Sequence, residues 1–145
     1  MIEMFTAISS VATAFGVLMA VWQLWISRSL SQSAFEDSLA REYRDLVRKI
    51  PVDVLLGREV EAEKFTQVRE LVFNYLDLTN EQTYLRGKGR IRRSTWHEWA
   101  EGARFNLNLP MFQTVWKEVK QEAPDMFTEL RRLDAENFNV DPRCW

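Results

Sequence analysis

MFTAISSVATAFGVLMAVWQLWI, residues 4–26, is a run of 23 residues with no charged side chain. As a helix it would reach roughly 34 Å, enough to cross a hydrocarbon core of about 30 Å with some tilt. The run is not uniformly apolar. Thr6, Ser9, Thr13, Gly16, Ala20, Gln23 and Ser27 recur at alternating spacings of three and four, which gathers small and polar groups on one side of a helix. Ile8, Val11, Phe15, Leu18, Trp22 and Trp25 cover most of the remaining circumference. Such a helix has one seam for protein and one face for lipid.

A cleaved signal peptide fits this stretch poorly. Signal peptides begin with a basic segment and carry an apolar core of about 7–15 residues. Here the leader is Met1-Ile2-Glu3, the apolar run is longer, and the only cleavage-like site, Ala12-Thr13-Ala14, lies in its middle. The expectation is a retained anchor; the competing reading is a buried core helix. Basic residues set the orientation. Arg28, Arg41, Arg44, Arg48 and Lys49 follow the apolar run, whereas only Glu3 precedes it. The positive-inside rule then places the N-terminus outside and the rest in the cytoplasm, with Trp22 and Trp25 at the inner interface.

Past Ile26 no Pro or Gly occurs until Pro51, so the helix is expected to continue. Phe35, Leu39, Tyr43, Leu46, Val47 and Ile50 form an apolar stripe there, opposite a charged face. The serines between Ser27 and Ser33 are the weakest point, where a kink is expected if anywhere. Pro51 ends that helix, and PVDVLLG closes on Gly57. A second helix is expected over about Glu59 to Leu85, striped by Phe65, Val68, Val72, Tyr75 and Leu76. Thr95 opens a third, with Glu98 completing a capping box. Pro110 opens a fourth, with Met111, Phe112, Val115, Trp116 and Val119 on one side. Pro124 opens a last helical segment carrying Met126, Phe127, Leu130 and Leu133.

Composition agrees with an all-α chain: five glycines, four prolines and no stretch with convincing alternation in 145 residues. The fold expected is one N-terminal transmembrane helix continuing into a small cytoplasmic domain of four to five helices. Its parts are an anchor at 1–27, a juxtamembrane amphipathic helix at 28–50, a helical domain at 51–136 and an irregular tail at 137–145. A net charge of −2 argues against bulk nucleic acid binding. The single cysteine, Cys144, excludes an intramolecular disulfide and fits a reducing compartment.

Two sets of residues stand out as candidate sites. The first is the seam of Thr6, Ser9, Thr13, Gly16, Ala20 and Gln23. In lipid, helices associate through close backbone approach and interhelical hydrogen bonds, and Ser9-x-x-x-Thr13 and Gly16-x-x-x-Ala20 supply the small pairs. Gln23 would be costly facing lipid and satisfied across a helix pair. The second is the loop RGKGRIRR, with Arg86, Lys88, Arg90, Arg92 and Arg93 spaced by Gly87 and Gly89. Arg forks suit phosphate oxygens and glycines allow close approach, although the P-loop spacing is absent. Its functional reading is anion binding, for instance a phosphorylated small ligand; its plain reading is a solvated turn.

Catalysis finds little support. His97 and Glu101 stand i, i+4 in TWHEWAE, but the second histidine of the zinc motif is missing and no third ligand is suggested. No metal and no cofactor are expected. Trp96, Trp99, Phe105, Phe112 and Trp116 read mainly as core, with a ligand pocket as the alternative.

The stretches WQLW (22–25), FEDSLAREYRDLVRKIP (35–51), LLG (55–57), LDLTNEQTYLRGKGRI (76–91) and TWHEWAEGARFNLNLPMFQTVW (95–116) together carry a resemblance. The chain resembles an uncharacterised family of small bacterial single-pass membrane proteins with a helical cytoplasmic domain. The resemblance implies an inner-membrane location and transfers no residue role. Two functions are carried forward. One is an oligomerising membrane effector or sensor of the kind used in bacterial defence, whose partners are the bilayer and copies of itself. The other is a non-catalytic accessory subunit of a larger membrane complex, with the seam packed on another membrane protein.

Overall fold

The computed structural model describes residues 2–145, with side chains from Thr13 onward. It is all-helical, with six α-helices and no strand among the described residues: α1 (Ile2–Val47), α2 (Val52–Leu55), α3 (Phe65–Gly87), α4 (Arg93–Leu107), α5 (Pro110–Glu122) and α6 (Thr128–Ala135). Two short 3-10 turns, Ala62–Lys64 and Pro142–Cys144, complete the order. The chain divides into two units, Met1–Phe35 and Glu36–Trp145.

The first unit is helix alone. From Thr13 to Ser31 every residue is exposed, apolar and polar alike. Leu24 and Trp25 keep 70% and 69% of their surface, and Phe15, Leu18, Trp22 and Leu30 more than half. Nothing lies within 4 Å of where a Cβ on Gly16 would stand. The serine-rich stretch stays helical, because the propensity deficit of Ser is only a few tenths of a kcal/mol per residue. Among the described residues no helix is long and apolar enough to cross a membrane. The apolar run starts at Met4, upstream of the first described side chain, so the structure shows the all-helical part of the expected fold and not the span.

The second unit is built around α3. Its face of Val68, Val72, Tyr75, Leu76, Leu78 and Leu85 is buried and packs on α5, α6 and the Pro142–Cys144 turn. The expected α5 stripe is realised in full: Met111, Phe112, Val115, Trp116 and Val119 are all buried. Phe112 meets Tyr75 edge-on, with centroids 5.1 Å apart at 88°. Leu39 of α1, Ile50 and Val54 close one side of this core.

Several boundaries differ from expectation. α3 starts at Phe65, after the Ala62–Lys64 turn, and Phe65 itself is exposed. α6 starts at Thr128 rather than at Pro124, because Phe127 takes a left-handed conformation (φ 55°) just before it. That strain, of order 1 kcal/mol, is held by burial of the ring against Phe73 and Trp116. The tail at 137–145 is irregular except for the Pro142–Cys144 turn, and it is fastened to the rest of its unit: Pro142 is buried, and the Trp145 indole donates to Glu136 at 2.8 Å.

The Thr95–Glu98 capping box is also corrected. α4 begins two residues earlier, and its N-terminus is capped from another helix. Glu36 of α1, only 6% exposed, accepts the Arg92 backbone N–H at 2.6 Å and the Thr95 hydroxyl at 2.9 Å. A carboxylate there also sits well in the field of the helix N-terminus.

Candidate functional site

The seam is placed on α1. The side chains of Thr6 and Ser9 lie outside the described residues; Thr13, Gly16, Ala20 and Gln23 are all exposed. Phe15, Leu18 and Trp22, assigned to the opposite face, are exposed as well.

The basic loop joins α3 to α4, and its cations have separate roles. Arg86, buried in the last turn of α3, forks onto Asp141 with Nε–Oδ1 at 2.8 Å and Nη2–Oδ2 at 2.5 Å. Its remaining Nη1 donates to the Ile91 carbonyl at 2.7 Å, which holds the loop closed on itself. Hydrogen bonding to Arg86, against the opposing effect of burial, keeps the Asp141 carboxyl below the usual aspartate range. The Lys88 ammonium lies 5.2 Å from the Tyr84 ring centroid. Gly89 (φ 69°) takes a left-handed turn beneath the Arg143 guanidinium, where any Cβ would collide. Arg90 and Arg92 both have partners. Arg93 opens α4, and its charge adds to the field on Asp141. The loop is thus stitched to α1 through Glu36 and to segment 141–145, with Arg143 an added cation that sequence spacing did not reveal.

A third place emerges only in three dimensions. Ala40, Tyr43 and Arg44 of α1, Tyr75 and Gln82 of α3, and Glu98, Trp99 and Gly102 of α4 line a groove of about 270 Å³. Tyr43 and Tyr75 lie 5.9 Å apart, inclined at 58°. The Tyr75 hydroxyl accepts from Asn106 Nδ2 at 2.8 Å, and burial pushes its pKa up, so it stays a neutral phenol. Gln82 is 5% exposed, and its carboxamide has no hydrogen-bond partner among the described residues. No protein-family model, curated protein or solved structure matches this chain. Its chemistry therefore has to be read from the geometry itself.

The other candidates resolve simply. His97 is exposed, 3.7 Å from Glu101, and no group of metal-ligating side chains forms among the described residues. Cys144 is exposed. Of the aromatic set, Trp96, Phe112 and Trp116 are core, Phe105 faces solvent and Trp99 alone lines the groove. The groove had one faint signal in the sequence. After Leu78, Thr79, Gln82, Thr83 and Arg86 continue the buried face of α3 with polar residues, all at most 6% exposed. Thr79 and Thr83 bond back to carbonyls of their own helix, which leaves Gln82 as the exception.

Proposed function

We propose that the chain is a membrane-anchored, oligomerising effector or sensor of the bacterial inner membrane. Residues 4–26 lie in the bilayer, and the helical unit Glu36–Trp145 receives a signal in the cytoplasm. One observation supports this reading above the others: from Thr13 to Ile26, α1 leaves Phe15, Val17, Leu18, Val21, Trp22, Leu24 and Trp25 exposed on the half of its circumference opposite the seam. A broad apolar face left uncovered by its own chain calls for an apolar surrounding, and the uncharged run 4–26 has the length to cross a bilayer. The seam of Thr13, Gly16, Ala20 and Gln23 then provides the surface for helix pairing, and the exposed Arg93 at the start of α4 is the loop cation that would meet an anionic ligand.

The test is mass measurement in detergent for the wild type and for Gly16→Leu. The expected outcome is an oligomer for the wild type and a shift to monomer for the variant, whose branched side chain keeps the backbones apart. A monomer in both cases, with a stoichiometric foreign protein captured from native membranes, would replace self-assembly by the accessory-subunit role.

A further inference from the structure

The groove between α1, α3 and α4 has two properties that packing alone does not account for. The first is Gln82, a carboxamide that is nine-tenths buried and unpartnered, lining the groove. No side-chain N or O sealed from solvent lacks a partner among the described residues, so the Gln82 carboxamide opens onto the groove, and its hydrogen bonds are left to whatever occupies that space. The second is Gly102. It sits in the middle of α4, where glycine is the poorest helix former after proline, and nothing lies within 4 Å of where its Cβ would be. A side chain at Gly102 would enter the open space of the groove that this residue lines.

We propose that this groove binds the base of a nucleoside or nucleotide, with the Gln82 carboxamide reading the base edge. The reasoning is chemical and independent of any membrane role. Tyr43 and Trp99, both half-buried, supply aromatic surface for a flat ring above the buried Tyr75, and base–aromatic stacking is a strong and general interaction. A carboxamide offers one donor and one acceptor side by side, the pattern that pairs with the edge of a purine or pyrimidine. The volume, near 270 Å³, is below the range of drug-sized pockets and suits a single planar group with its sugar at the mouth. Arg44 and Glu98 stand at that mouth. Neither has an ion-pair partner among the described residues, so Glu98 is free to accept from ribose hydroxyls and Arg44 to meet a phosphate.

The experiment is calorimetric titration of the full chain in detergent with adenosine, guanosine, cytidine and uridine. At least one nucleoside is expected to bind saturably at or below millimolar concentration. Gln82→Leu is expected to weaken that binding roughly tenfold or more, since it removes the edge contact and keeps the bulk. Gly102→Leu is expected to abolish it while the thermal midpoint holds or rises, because the new side chain enters open space in a helix that it favours. Failure of all four nucleosides to saturate overturns the proposal. So does unchanged affinity in a folded Gly102→Leu protein.

Discussion

Glu36 shows how much one buried carboxylate can hold. It satisfies the Arg92 N–H and the Thr95 hydroxyl at once, so removing it strands two donors at the start of α4. Glu36→Ala is expected to cost about 2–3 kcal/mol in urea unfolding, and only the share due to the Thr95 hydroxyl should vanish when Thr95 and Glu36 are changed together to apolar residues, because the Arg92 N–H stays stranded. Asp141 offers a pH readout. Its carboxyl titrates lower in the folded protein than in the unfolded chain, so its stabilising effect is fully present above the ordinary aspartate range and is lost as pH falls below about 4. Asp141→Asn should lower stability at pH 6, by about 2–3 kcal/mol because Arg86 is left buried without its counter-ion. At pH 3 the gap between the variant and the wild type should narrow.

At the scale of elements, the unit Glu36–Trp145 caps its helices from a distance. Asn80 of α3 accepts the Glu129 and Leu130 N–H groups that open α6, at 3.1 and 3.0 Å. Arg131 of α6 donates to the Val119 and Ala123 carbonyls that end α5. Asn80→Ala should therefore lower the unfolding free energy by about 1–2 kcal/mol, as the loss of a local cap does, although Asn80 lies mid-helix. This explains which parts of the fold were legible in the sequence. The faces of α3 and α5 were, because burial imposes a helical period on Val68, Val72, Met111, Val115 and Val119. Helix starts were not. Thr95 and Glu98 satisfy the local capping rule, yet the group that caps α4 lies 56 residues upstream of Arg92. The groove was hidden for the same reason, since Tyr43, Gln82 and Gly102 share no helix and no period. The basic loop was legible as charge, but Asp141, which neutralises Arg86, is 55 residues away.

For the whole molecule, the division after Phe35 predicts what can be removed. A chain starting at residue 31 keeps Glu36 and Leu39 and should unfold at the temperature of the full protein, as followed by circular dichroism. A chain starting at residue 40 loses both and should unfold well below it, since a buried leucine alone contributes about 2–5 kcal/mol. The anchor proposal adds that only the full chain, which keeps residues 4–26, should sediment with lipid vesicles. The Arg86–Asp141 pair has a further consequence in time. Chains grow at about 5–20 residues per second, so Arg86 emerges roughly 3–11 s before its counter-ion is even synthesised. Through that interval α3 and α4 exist as a nascent segment with an unneutralised guanidinium at their junction, while residues 4–26 have long been made. The unit Glu36–Trp145 thus locks shut only when segment 141–145 arrives.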